Sequence, residues 1–294
     1  MQSKFCFLSR TEIDEDRWNE KVKSLPGGKI YWQTWYLDAV TDSRWDALIG
    51  ENYKWIWPLP YNRKLFGLKQ VYQPVLSQQL GPLGKIDGVL YHRVLSFLKR
   101  KYVRFYQQGP FLDVDIAGMP HRINMELHLN RPYQEIYRDF GRGLKQNLKR
   151  TIPLNLKVRA TENLVGLMDL TQKELAQKTN LKSSDFARIR TVLEKGLEND
   201  SGIIYEVLNA ENELLNISYF FIDDRYIYNV YGASTEIGPE HYAMPFLLNY
   251  LVNKHSETLM ILDFEGSDIP GVQKFFRSFG PDVIWYYQLK FGLF

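Results

Sequence analysis

Cysteine is all but absent from this sequence. Cys6 stands alone among 294 residues. One thiol cannot close a disulfide within the chain, and there is no cysteine pair to hold a metal. The five histidines (His92, His121, His128, His241 and His255) fall into no HExxH or comparable spacing, so no metal site is expected. Also missing are the roughly 18 consecutive apolar residues of a membrane span and the apolar core of a signal peptide near the start. Neither a GxSxG elbow nor a P-loop occurs. A strong charge of one sign is lacking too. The formal net charge is +3, too small by itself to argue for nucleic acid. These absences lead us to expect a soluble protein of a reducing, cytoplasmic compartment, with no transmembrane segment.

What the chain does have is aromatic mass. Aromatic residues make up 15%, with 19 Tyr and 17 Phe, which favours a β-rich core or a ring-lined cleft. The length admits one large domain or two ordinary ones. Charge is uneven along it: residues 1–130 hold 18 basic against 13 acidic side chains, and the remainder 19 against 21. A mildly basic first half suits an anionic ligand.

Periodicity divides the chain into alternating strands and helices. In the first half, 4–9 reads as a strand, 12–25 and 34–41 as helices, and 45–50, 53–62 and 69–74 as strands. A helix over 88–101 and strands over 103–108 and 122–129 follow. In the second half, 132–150 reads as one helix, 156–161 as a strand, and 162–178 and 184–199 as helices. Strands at 203–209, 214–223 and 225–234 form a meander with turns at Asn212 and Asp223-Asp224. A helix over 245–255, a strand over 259–264, a helix over 271–279 and a last strand over 283–291 complete the series. The second half thus runs strand, two helices, three antiparallel strands, helix, strand, helix, strand. The first half fits a degraded copy of that order.

That order resembles a GNAT-type acyltransferase domain, present twice. The expected fold class is therefore α/β (α+β): two tandem GNAT-like domains, 1–130 and 131–294, each a mixed, mostly antiparallel sheet flanked by helices. Four segments stand out: QPVLSQQLGPLG (73–84), LKQNLKR (144–150), YGAST (231–235) with Pro245 beyond it, and DFEGS followed by FFRSFG (263–280). Together they resemble the FemAB-like family of tandem-GNAT transferases. The resemblance implies transfer of an acyl or aminoacyl group to an amine on a cell-envelope or glycan precursor such as that of peptidoglycan. It implies no tightly bound cofactor. The donor would be aminoacyl-tRNA or acyl-CoA, and the partner an anionic, nucleotide-linked precursor, with tRNA a further candidate. The chain departs from the family in two ways: it lacks the long helical-hairpin insertion of bridge-forming members, and Phe276 stands where they carry a lysine, leaving Arg277 as the nearest cation. Two other readings stand beside this one. One is an acyl-CoA-dependent acetyltransferase acting on a small molecule or sugar. The other is a non-catalytic protein that binds an anionic glycan or RNA.

Amide-forming acyl transfer asks for a base to take the amine proton, a donor group to hold the oxyanion, and positioning. At the end of one strand, Asp263 and Glu265 share a face opposite Leu262 and Phe264 and supply the candidate base. Lys274 and Arg277, on the helix face away from Val272, Phe275, Phe276 and Phe279, are candidate electrostatic stabilisers. Asp268 or Ser267 is a suitable N-cap for that helix. From Arg138 to Arg159 there are seven basic residues and one acid, a stripe suited to phosphate or an RNA backbone. Within it, Asn147, Lys149 and Arg150 are candidate substrate ligands. Gly141 and Gly143 each weaken their helix by about 1 kcal/mol and mark a place where another backbone could approach closely. Gln73 and Gln78, with Gln79, are polar residues beside apolar strands and are candidate hydrogen-bond partners for a carbohydrate or peptide. Tyr231 and Ser234 on the meander are candidate cleft-wall and substrate contacts. Each has an ordinary alternative: a solvated helix face, a loop edge or core.

Overall fold

The computed structural model describes residues 5–63, 67–110, 120–176 and 181–292. They divide into two compact units, one of residues 1–122 with 285–294 and one of residues 123–284. The sequence reading instead placed a single cut between 130 and 131. The difference has two causes. The strand over 121–128 pairs within the second unit, and the last strand pairs within the first.

The first unit comprises β1 (Phe5–Ser9), α1 (Glu15–Ser24), α2 (Thr34–Thr41), β2 (Trp45–Gly50), β3 (Trp55–Arg63), β4 (Lys69–Val71), β5 (Leu83–Gly84), α3 (Gly88–Lys101) and β6 (Arg104–Gly109). Its sheet runs β1-β2-β3-β4-β6 and is completed by residues 287–292 of the chain's last strand; β5 sits beside β3. All pairs are antiparallel except β4 with β6. Helix α3 begins where the Asp87 carboxylate accepts the Leu90 N–H at 2.8 Å, satisfying an otherwise orphaned donor. Its Leu90, Tyr91, Val94 and Leu98 then pack on Trp55, Trp57 and Leu59 of β3. Each such side chain contributes about 1.5–3 kcal/mol by leaving water. One carboxylate, Asp46, is buried with this core. It accepts from Lys69 Nζ at 2.7 Å and from the Tyr102 hydroxyl at 2.9 Å. Burial, and then the Asp46 charge, push the Tyr102 pKa far up, so the phenol stays a donor.

The second unit takes in β7 (His121–His128), α4 (Tyr133–Asp139), α5 (Arg142–Thr151), β8 (Lys157–Thr161), α6 (Leu164–Ala176), α7 (Ser183–Glu198), β9 (Gly202–Leu208), β10 (Leu214–Ile222), β11 (Tyr226–Ser234), α8 (Ala243–His255), β12 (Ile261–Asp263) and α9 (Pro270–Arg277). Strand β13 (Asp282–Gly292) ends the described chain and passes from the second unit into the first. Within this unit the strand order is β7-β12-β11-β10-β9-β8, with β11 and β12 its one parallel pair. A parallel pair needs a long crossover, and α8 supplies it. Period-two alternation gives this sheet two different faces. Ile123, Met125, Leu127, Ile227, Leu262 and Phe264 face α4, α5, α8 and α9 in one apolar cluster. On the other side α6 and α7 pack over β9–β11, where the Tyr219 hydroxyl donates to Leu193 O at 3.0 Å.

Element order follows the sequence reading closely, and each unit has the mixed, mostly antiparallel sheet with flanking helices that it indicated. One expected element is different. The single helix over 132–150 is two helices, because Phe140 and Gly141 are extended (ψ 140° and 147°). At the break the Gly141 N–H donates to Ser278 O at 2.7 Å, and Phe140 packs on Phe279 with ring centroids 5.1 Å apart. A tertiary hydrogen bond and a buried ring outweigh one interrupted helical turn.

Candidate functional site

The parallel pairing of β11 with β12 is short. It covers Tyr226 with Ile261, Ile227 with Leu262, and Tyr228 with Asp263, and then stops. Strand β11 runs on to Ser234, still paired with β10 on its other side. Among the described residues no strand pairs with Asn229–Ser234 on the β12 side. The two strands therefore part like a fork, leaving backbone N–H and C=O groups on its inner edge. A bulge in β11 lies beside the branch point: Tyr219 opposes Tyr231 while Phe220 opposes Asn229. Bulges of this kind bend a strand and re-aim its side chains.

Asp263 stands at the branch point and is fully buried. Its carboxylate accepts the Glu265 N–H at 2.8 Å. This turn is tight because Glu265 and Gly266 both have left-handed backbone, φ 62° and 60°. A Cβ at position 266 would lie 2.2 Å from Ile123 O, so the site needs glycine there. Phe264 N–H donates to Met125 O at 3.0 Å, which ties the turn to β7.

Across the antiparallel β12–β7 pair, Asp263 is directly opposite Glu126. Directly opposed residues share a face with Cβ atoms about 4.5–5.5 Å apart. Glu126 is buried, as is its neighbour on the same face, Asn124, whose Nδ2 donates to Glu126 Oε1 at 3.2 Å. Asn124, Glu126 and Asp263 thus form a buried polar strip on the sheet face opposite the α8–α9 core. Like charges at opposed positions cost stability. The paired carboxylates of this structure are therefore Asp263 and Glu126, with Glu265 in the turn beyond. Sequence reasoning missed Glu126. In INMELHL it alternates with Met125 and Leu127 as any solvent-facing strand residue would, and its partner is remote in sequence.

The other expected residues are dispersed. Lys274 and Arg277 lie on the exposed side of α9. The helix packs with Phe276 and Phe279 on the apolar face, the side away from Asp263, so the structure does not gather these cations with the strip. Phe276 is buried and stacks on Phe264 at 5.0 Å, a core role for the position where the family resemblance sets a lysine. The N-cap of α9 is Ile269, whose N–H donates to Ser267 Oγ at 3.1 Å. Gln73 spans a loop: its Nε2 donates to Ser77 O at 2.5 Å and its Oε1 accepts the Gln108 N–H at 2.9 Å. Gln78 accepts from Gln79 Nε2 at 2.8 Å. Tyr231 is buried beside Thr171; burial raises its pKa and the Thr171 hydroxyl lowers it in part. Ser234 Oγ accepts from Asn216 Nδ2 at 3.1 Å.

Asn147, Lys149 and Arg150 sit on α5, with Asn147 half-buried and the two cations exposed. Arg150 donates to the Tyr242 hydroxyl at 2.7 Å, just before α8. Beside Lys149 is a cavity of about 500 Å³, walled by α4, α5, residues 152–156 and α8. No group of three or more candidate metal ligands occurs among the described residues, and no helix among them is long and apolar enough to cross a membrane.

The class of architecture defined by these features is the GNAT-type acyltransferase fold, present twice. The chain shares that fold with FemX at a TM-score of 0.69 and 11% identity, over 99% of this chain and 97% of that one. The C-terminal domain assigned as a lysylphosphatidylglycerol synthetase from Agrobacterium fabrum is also similar, at TM-score 0.58 and 12% identity, over 95% and 92% of the two chains. The L-PGS structure from Bacillus licheniformis matches at TM-score 0.55 and 13% identity, over 95% and 91%. No protein-family model and no curated protein matches the sequence. At such identities the likeness is one of fold, and it spans nearly the whole chain, as the FemAB-like resemblance does.

Proposed function

We propose that the chain is an N-acyltransferase whose reaction centre is the fork in the second unit. The observation that carries this reading is the buried pair Asp263–Glu126 at the point where two parallel strands separate. The amine nitrogen attacks the acyl carbonyl, and the bond from that carbon to the donor's sulfur or oxygen breaks. The amine proton passes to the carboxylate pair, directly or through a water. Backbone N–H groups of Asn229–Ser234 on the β12 side hold the carbonyl oxygen as it gains charge. Glu265, tied to Asp263 by its own N–H, positions that carboxylate. Two donors fit this scheme, acyl-CoA and aminoacyl-tRNA. The resemblance to FemAB-like proteins supports an acceptor amine on a cell-envelope or glycan precursor.

The test separates donor binding from transfer. Thermal stabilisation by acyl-CoA and salt-dependent retention of charged tRNA identify the donor. Transfer of its labelled acyl group to amine-bearing envelope precursors is then measured for the native chain and for Glu126→Gln with Asp263→Asn. The expected result is a loss of about 10²-fold or more in transfer with donor binding retained. Binding of neither donor, or unchanged transfer by the double variant, would overturn the reading.

A further inference from the structure

The cavity beside α5 is on the other side of the second sheet from the carboxylate strip, and the acyl-transfer reading leaves it unused. Its walls include three rings, Tyr133, Tyr137 and Phe246, and two side-chain amides, Asn155 and Asn249. Lys149 is the one charged residue in its lining, which contains no acid. The Tyr133 and Tyr137 rings are 5.7 Å apart. The Tyr133 hydroxyl donates to Asn249 Oδ1 at 3.0 Å. That bond orients the Asn249 amide and makes its nitrogen the group available to a ligand. Just outside, Arg150 is held by Tyr242, and Lys145 by the Arg138 carbonyl and the Tyr137 ring. The rim is thus cationic without a carboxylate to neutralise it among these contacts.

Rings accept a flat, polarisable body. Amides hydrogen-bond to its edge. A lone ammonium with no acidic neighbour calls for an anion. The volume, about 500 Å³, is within the range of small-ligand pockets. We propose that this cavity is a binding site for an aromatic phosphate of mononucleotide size, its ring among Tyr133, Tyr137 and Phe246 and its phosphate on Lys149. Such a group could be a free nucleotide or the nucleotide end of a larger molecule such as coenzyme A. Because the site is on the face away from Asp263 and Glu126, it stands whether or not acyl transfer occurs at the fork.

The test is direct binding to the full chain at low salt, by calorimetry, with AMP and UMP against adenosine, uridine and inorganic phosphate. The nucleotides should bind saturably at one site, about tenfold or more tighter than nucleoside or phosphate, since ring and charge act together. Lys149→Gln should weaken nucleotide binding about tenfold and leave the weak nucleoside binding unchanged. Asn249→Asp, which adds a negative charge at constant size, should weaken it at least as much, whereas Lys195→Gln on α7 should have no effect. Circular dichroism confirms that each variant is folded. Competition by coenzyme A would assign the nucleotide to a larger donor, and lack of competition would assign a free nucleotide. Equal affinity for phosphate and nucleotide, nucleotide affinity indifferent to both Lys149→Gln and Asn249→Asp, or no saturable nucleotide binding would each refute the site.

Discussion

Both units contain a parallel strand pair that stops early, but only one of the two forks is open. In the first unit, β4 and β6 pair in parallel at Gln70 with Arg104 and at Val71 with Phe105. The chain then turns back and fills the gap. Gln73 takes the Gln108 N–H, Leu80 N–H donates to Gln108 O at 2.5 Å, and the Tyr36 hydroxyl donates to Leu76 O. The approach is so close that a Cβ at Gly109 would fall 1.7 Å from Leu80 O. In the second unit β11 runs past the end of its pairing with β12, and no strand among the described residues lies against its inner edge. The same order of elements has thus been used once with its own loop packed into the gap and once with no described strand in that place. The buried carboxylates repeat the contrast. Asp46 of the first unit has a lysine and a phenol as partners, whereas Asp263 of the second lies opposite another carboxylate.

The comparison can be broken by mutation. The largest effect is expected at Asp46→Ala. Removing one partner of a buried ionic network should cost about 3–5 kcal/mol, read by denaturant unfolding. Gly109→Val should follow, costing about 1–3 kcal/mol as the loop is forced off β6; a silent substitution would show that the closed fork is loosely held. Gln73→Ala removes two hydrogen bonds of that loop and should cost about 1–3 kcal/mol. Smallest is Glu126→Gln. It keeps the side chain's size and the Oε1 that accepts from Asn124, and stability should change by no more than about 1 kcal/mol while acyl transfer falls. If Glu126→Gln destabilises the chain as Asp46→Ala does, the carboxylates of the two units are alike and the contrast between them collapses.

Much of this architecture was legible in the sequence because local signals agreed with the fold. Helix α3 has apolar residues at 90, 94 and 98 and was read with its exact ends, 88–101. The meander of β9–β11 was marked by Asn212 and Asp223, and Asn212 does have left-handed backbone (φ 64°). What escaped was non-local. The break at Gly141 depends on Ser278, and the partner of Asp263 is on a strand whose own alternation gives no hint of it. Gln73 reads in the sequence as a substrate contact or a loop edge, and only the structure shows its bonds to Ser77 O and the Gln108 N–H. The carboxylate strip was half visible: Asp263 could be read from the end of its strand, and Glu126 could not.

Strand β13 carries a consequence for how the chain is made. The first unit draws its last strand from Tyr287–Gly292, after the whole of the second unit has been synthesised. On a ribosome, β6 must therefore wait with one edge unpaired until residues 287–292 appear, while residues 123–284 already have the parts of their own core. Vectorial synthesis favours the unit with the open fork, and the unit with the closed one is finished last.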